Sequence, residues 1–259
     1  MARQRMGQHF LGNLNWRKRI LESLPRAAKE PWVEIGAGHG EMTQLLAENG
    51  WRVIAVEADR QLATGLKNNA ARWGDVEVVS GDVLLLDLGK IAGRRFRVYG
   101  NLPYYITSPI LHQLFTYADQ LASIHIVVQQ EVAERIVAAP GRRDYGYLSA
   151  VCQFYTRPEI AFSIPPGAFR PPPRVHSTLL HMTIPGERAA LNVSDEKQFL
   201  EFIGTCFGQK RKTLRNNLLE GVPDEQIRAA LADCGLRPDA RAEQLSLAQF
   251  AKLFAWGLG

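Results

Sequence analysis

Gly36-Ala37-Gly38-His39-Gly40 restricts the fold of this chain more than any other stretch. It follows an apolar run, Trp32-Val33-Glu34-Ile35, and opens onto Thr43, Leu45 and Leu46. A short buried strand that breaks through glycines into a helix is the opening unit of a parallel α/β sheet. Its glycines let backbone come close to a ligand while helix N–H groups point at it. The spacing departs from the dinucleotide pattern GxGxxG, because the third glycine arrives one residue early and Glu41 stands in its place. Glu34, two residues before the first glycine, suits a cationic ligand better than a pyrophosphate.

The next strands repeat the design. Arg52-Val53-Ile54-Ala55-Val56 runs into Glu57, about twenty residues past the first glycine, where α/β nucleotide binders carry the acid that grips ribose hydroxyls. Val76-Glu77-Val78-Val79 ends at Gly81-Asp82. Glu34, Glu57 and Asp82 would therefore gather at the carboxyl edge of the sheet, where such folds bind ligands. With the glycine loop they favour a ligand that has a ribose, an adenine amine and net positive charge. S-adenosylmethionine meets that description, and NAD and ATP do not.

A fourth strand, Arg97-Val98-Tyr99-Gly100, delivers Asn101-Leu102-Pro103-Tyr104 to the same edge. The Asn101 side-chain carbonyl can accept a hydrogen bond from an exocyclic amine. Pro103 fixes its own φ and keeps Leu102 extended, so the Leu102 carbonyl offers a second acceptor. An amine held by two acceptors loses conjugation with its ring and becomes a nucleophile without a prior general base. Tyr104 supplies a face for a flipped base, a contact worth roughly 1–3 kcal/mol. Phe169 lies in the stiff, proline-dense segment 165–174 and forms either a second wall for that base or a plug at the end of the sheet.

Further strands are expected over 124–128, 159–164 and 175–183, the last two as an antiparallel hairpin closing the sheet, which makes seven strands, mostly parallel. Helices are expected over 16–24, from Pro109 through Leu114 and over 131–138. Ahead of them, Arg3, Arg5 and Gly7-Gln8-His9-Phe10-Leu11 form an arm that is either a loose tail or a lid. Pro185-Gly186-Glu187 marks a boundary between a catalytic domain, 1–185, and a helical domain, 186–259. In the latter Phe199, Phe202, Ile203, Cys206 and Phe207 make the stripe of a packed helix. Lys210, Arg211, Lys212 and Arg215 then form either a solvated face or a contact to phosphate.

At 259 residues and 46% apolar, the chain can bury one large α/β domain and a smaller appendage. A formal charge of +5 raises the expectation of a polyanionic partner. Cys152, Cys206 and Cys234 show no CxxC spacing, so neither a disulfide framework nor a zinc site is indicated, and a reducing cytoplasm fits. The histidines form no i, i+4 pair, and no metal is expected. No signal-peptide core occurs, and no run approaches the ~20 apolar residues that span a bilayer.

Five motifs occur in a set order: Gly7-Gln8-His9-Phe10-Leu11, Glu34-Ile35-Gly36-Ala37-Gly38-His39-Gly40, Asn101-Leu102-Pro103-Tyr104, Phe169-Arg170-Pro171-Pro172-Pro173-Arg174-Val175-His176-Ser177 and Arg211-Lys212-Thr213-Leu214-Arg215-Asn216. Together, and over nearly the whole chain, the sequence resembles the ribosomal RNA adenine dimethyltransferases of the KsgA (RsmA) type. The resemblance implies a Rossmann-like class I methyltransferase domain using S-adenosylmethionine, followed by a helical RNA-binding domain. It implies dimethylation of the N6 amines of two adjacent adenosines near the 3′ end of small-subunit (16S) ribosomal RNA. The small subunit would be the partner of a monomeric cytoplasmic enzyme.

By the same resemblance, His9 and Leu11 line the cofactor site, Gly36 lies against the methionine part, and Gly38 belongs to the same loop. Glu57 holds the ribose hydroxyls, Asp82 the adenine amine, and Asn101 the junction of cofactor and target base. Arg3, Arg5, Lys210, Arg211, Lys212 and Arg215 are the expected RNA contacts. Many relatives have Asn in place of His9 and Pro in place of Ala37, and a backbone contact from residue 9 would survive the first change. The erythromycin-resistance methyltransferases, which act on large-subunit RNA, are the nearest rival. The Asn-Leu-Pro-Tyr form and the helical tail favour the KsgA type. A DNA adenine or protein glutamine methyltransferase would leave the Arg211 segment and the Phe169 motif unexplained. An assembly factor with incidental methylation is the alternative from another class.

Overall fold

The computed structural model describes residues 9–26, 29–191, 193–209 and 212–258. The chain runs β1 (Phe10–Leu11), α1 (Leu14–Ser23), β2 (Trp32–Ile35), α2 (Glu41–Glu48), β3 (Val53–Glu57), α3 (Arg60–Ala70), β4 (Val76–Ser80) and α4 (Leu88–Ala92). It continues through β5 (Phe96–Asn101), α5 (Thr107–Phe115), β6 (Leu121–Gln129), α6 (Gln130–Val137), α7 (Tyr147–Tyr155), β7 (Arg157–Ile164), β8 (Phe169–Arg170) and β9 (Ser177–Thr183). Helices α8 (Arg188–Leu191), α9 (Glu196–Cys206), α10 (Leu214–Leu218), α11 (Asp224–Asp233) and α12 (Leu247–Leu253) follow.

Seven strands form one sheet in the order β4-β3-β2-β5-β6-β9-β7, and β1 pairs with β8 in a separate ribbon. The pairings from β4 across to β6 are parallel, and β6 with β9 is antiparallel. Strands β2 and β3 are buried along their full length. Their near-continuous apolar runs are what a strand covered on both faces requires. From β2 the chain winds outward to β3 and β4, then returns to add β5 on the other side of β2. That reversal opens a crevice at the carboxyl ends of β2 and β5. The register Ile35↔Gly100 brings Gly36 and Asn101 to it. The fold is the Rossmann-like, mostly parallel seven-stranded architecture expected from the sequence.

The contacts divide the described residues into one unit drawn from Met1–Ala133 and Pro158–Ile184, and another drawn from Glu134–Arg157 and Pro185–Gly259. The expected boundary at 185/186 left 134–157 in the first domain, whereas this stretch packs with the helices. The reason is apolar: Tyr145, Ala150 and Phe154 share one core with Phe199, Phe202, Ile203, Leu214 and Phe250. Helix α7 went unread because Ser149, Ala150, Val151, Cys152 and Phe154 are all buried. A helix covered on most sides shows no amphipathic stripe.

Candidate active site

Gly36, Gly38 and Gly40 take φ of +75°, +61° and +87°, a region L side chains rarely adopt. The loop they form hands a backbone donor to the neighbouring strand: Gly38 N–H bonds Glu57 Oε2 at 2.8 Å. The N–H of Asp59 bonds Glu57 Oε1 at 2.9 Å. Glu57, at the end of β3, is thus held by one backbone donor on each oxygen. Asp82 ends the next strand connection and accepts the Leu84 N–H at 3.0 Å. Gly36, Glu57, Asp59, Asp82 and Asn101 line a single cleft.

Glu34 departs from the expected trio of acids. It is 3% exposed, lies outside the cleft lining and accepts the Thr43 hydroxyl at 2.5 Å. Burial pushes its carboxyl up to about 8, so near neutrality it carries a proton and adds no negative charge to the sheet edge. This has a measurable consequence. Between pH 4.5 and 8 the folded protein holds a proton here that the unfolded chain releases, so stability falls as pH rises through that window. Urea unfolding of the wild type against Glu34→Gln should diverge by up to about 1.4 kcal/mol per pH unit there, with the variant the flatter of the two. Parallel pH profiles would show that Glu34 does not hold that proton.

Of the arm, His9, Phe10 and Leu11 are described, and they are tied to the rest of the unit. Phe10 pairs with Arg170 and Leu11 with Phe169. The N–H of Asn13 bonds the Ala168 carbonyl at 3.1 Å. His9 lines the cleft, and its backbone carbonyl receives Nδ2 of Asn101 at 2.7 Å. A carbonyl can take only the NH2 end of an amide, so Oδ1 is the Asn101 atom left to accept from a ligand. The side chain of His9 is also tied, with Nδ1 donating to the Pro171 carbonyl at 2.7 Å. Its ring stacks on Tyr104, centroids 5.6 Å apart and planes 30° from parallel. The Tyr104 hydroxyl is paired with Ser177 Oγ at 2.8 Å.

Three expected residues, Leu11, Gly38 and Phe169, do not line the cleft. Successive side chains of a strand point to opposite faces. In β1 this turns Phe10 to the cleft and the Leu11 side chain into the core. Phe10 packs against the glycine loop, where a Cβ on Gly38 would stand 3.0 Å from its ring. Phe169, paired with Leu11, is 2% exposed in a core that includes Tyr99, Val127 and Leu179. It does not line the cleft, and the ring that stacks on Tyr104 is that of His9. Leu102 and Pro103 line the cleft as expected. Sequence reasoning passed over Phe10, Asp59 and Tyr105. A lone aromatic beside a short strand gives no sign of the face it takes.

The basic residues divide likewise. Arg3, Arg5, Lys210 and Arg211 lie outside the described residues. Lys212 is exposed. Arg215 is engaged in a two-pronged ion pair with Asp224, which also pairs with Arg228. Its guanidinium thus shares Nε and Nη2 with a carboxylate. Among the described residues no group of three or more His, Cys, Asp or Glu could hold a metal ion, and no helix is long and apolar enough to cross a membrane.

Known proteins resemble the chain over nearly its whole length. A curated protein of Koribacter versatilis, Ribosomal RNA small subunit methyltransferase A, is 42% identical, with 96% of this chain and 92% of that protein covered. Its namesake in Xanthomonas campestris is 39% identical over 97% of this chain and 95% of its own length. Among solved structures, a dimethyladenosine transferase from Plasmodium falciparum shares the fold, with TM-score 0.78, 23% identity and coverage of 95% and 96% of the two chains. The 23S rRNA methyltransferase ErmE gives TM-score 0.71 at 25% identity, covering 95% and 98%. The family model for Ribosomal RNA adenine dimethylase matches residues 1–257, and the chain belongs to that family.

Proposed function

We propose that the protein dimethylates the N6 amines of two adjacent adenosines near the 3′ end of small-subunit ribosomal RNA, using S-adenosylmethionine. The observation that carries this reading is the Asn101 amide, fixed by the His9 carbonyl so that an acceptor oxygen remains at the cleft. Identity of 39–42% to small-subunit enzymes, against 25% to the large-subunit enzyme, favours the small subunit as partner. On this reading the enzyme works as a cytoplasmic monomer.

The cleft residues fit the donor. Each Glu57 oxygen accepts one backbone N–H and keeps a lone pair for a ribose hydroxyl. Asp82 uses Oδ1 for the Leu84 N–H, which leaves Oδ2 for an adenine amine. Glu57, Asp59 and Asp82 give the cleft three carboxylates, complementary to a sulfonium. When bound, the donor supplies an electrophilic methyl group.

Asn101 Oδ1 and the Leu102 carbonyl accept the two N–H groups of the target amine and localise its lone pair. After one methyl transfer the amine sheds a proton to solvent and a single N–H remains, so the second transfer relies on one acceptor. Tyr104, held through Ser177, supplies the face on which the base lies. Lys212, with Arg211, Lys210, Arg3 and Arg5, meets phosphate. The test is incubation with labelled donor and unmethylated small and large subunits, followed by mapping of the label. Label on two adjacent adenosines of the small-subunit RNA is expected. Label on the large subunit would assign the erythromycin-resistance type, and no label would overturn the reading.

A further inference from the structure

A polynucleotide that turns one base out of its stack leaves the neighbouring base with an uncovered face. Tyr105 offers an exposed ring at the cleft that such a face could meet. It lines the cleft directly after Tyr104, yet it is 73% exposed. Tyr104 and Tyr105 differ in every respect that distinguishes a structural ring from a free one. Tyr104 is hydrogen-bonded to Ser177 and stacked on His9. Among the described residues Tyr105 has no hydrogen-bond partner and no ring contact.

An exposed aromatic ring gains nothing for the fold. Its backbone is nonetheless fixed: Pro103 stiffens the turn, and its carbonyl accepts the Ile106 N–H at 3.1 Å. Tyr105 also stands four residues after Asn101 and lines the same cleft.

We infer that Tyr105 is a positioning residue, a stacking platform for the nucleobase adjoining the one held at Asn101. The inference rests on the proposed reaction and names a second subsite of the same cleft. Stacking on an aromatic ring is tolerant of base identity, so the platform sets register along the strand without reading sequence. It covers the face exposed by extrusion of the target and thereby lowers the cost of holding the RNA open.

The test compares Tyr105→Ala, Tyr105→Phe and Tyr105→Trp with wild type in methyl transfer to unmethylated small subunits. A short RNA hairpin carrying 2-aminopurine on the 5′ or the 3′ side of the target adenosine serves as a binding probe, since stacking quenches its emission. For Tyr105→Ala the KM for RNA should rise about 5- to 150-fold, the equivalent of roughly 1–3 kcal/mol of stacking per base. The kcat at saturating RNA and the donor affinity should hold, and quenching should be lost on one side only. Phe and Trp should restore both KM and quenching, which a role of the hydroxyl or of the turn would not allow. An unchanged KM and unchanged emission for Tyr105→Ala would overturn the platform, as would a loss confined to kcat or to donor binding. Wild-type enzyme that transfers no methyl groups would instead overturn the proposed reaction.

Discussion

Asn101→Ala is expected to lower methyl transfer by about 10²–10³-fold, the usual cost of removing one preorganised polar group at a reacting centre. Binding to immature small subunits should be largely retained, because the RNA contacts proposed for the basic residues do not involve the amide. Asn101→Asp separates the two roles of the side chain. Aspartate keeps an acceptor oxygen but has no N–H for the His9 carbonyl, now 2.7 Å from Nδ2, and sets a carboxylate against that oxygen. The arm should then be repelled, and activity should fall nearly as far as in the alanine variant. Initial rates with labelled donor, alongside sedimentation with subunits, give both readouts. Full activity in Asn101→Ala would remove the residue from the mechanism, and full activity in Asn101→Asp would make the tether to His9 dispensable.

The parts of this site that were legible in the sequence are those fixed by local chain chemistry. Strand ends are marked by glycine and by a change from apolar to acidic residues, so Gly36, Glu57, Asp82 and Asn101 could be assigned to one edge before any packing was known. What escaped depends on contacts between distant segments. A two-residue strand offers no alternation to read, so nothing in Phe10-Leu11 tells which ring or branch faces the cleft. The burial of Phe169 follows from its pairing with Leu11, far away in sequence. The proton on Glu34 follows from its burial, which a carboxylate at a strand end does not announce. Arg215 reads as one cation among four, but its partner Asp224 lies in the next helix. In each case the residue type was read correctly and its surroundings were not.

Glu57→Gln should weaken S-adenosylmethionine binding by about 10- to 150-fold, the worth of roughly 1.5–3 kcal/mol for hydrogen bonds to a charged group. The substitution is close in shape but not in hydrogen bonding. Both Glu57 oxygens now accept backbone N–H groups, from Gly38 and Asp59, and glutamine can accept at only one of those positions. Its NH2 end must face the other N–H, which disturbs either the glycine loop or the start of α3. The same change removes the negative charge that a sulfonium would meet and one acceptor for a ribose hydroxyl. Asp82→Asn should be milder, because asparagine can keep the Leu84 bond through its own carbonyl. Calorimetry with the donor should therefore rank the affinities wild type, then Asp82→Asn, then Glu57→Gln. Because neither acid touches the target amine, kcat at saturating donor should recover far more than it does in Asn101→Ala. Equal donor affinity in Glu57→Gln and wild type would reduce Glu57 to a clamp on the loop. A loss in kcat that excess donor does not restore would mean that the loop also sets the geometry of transfer.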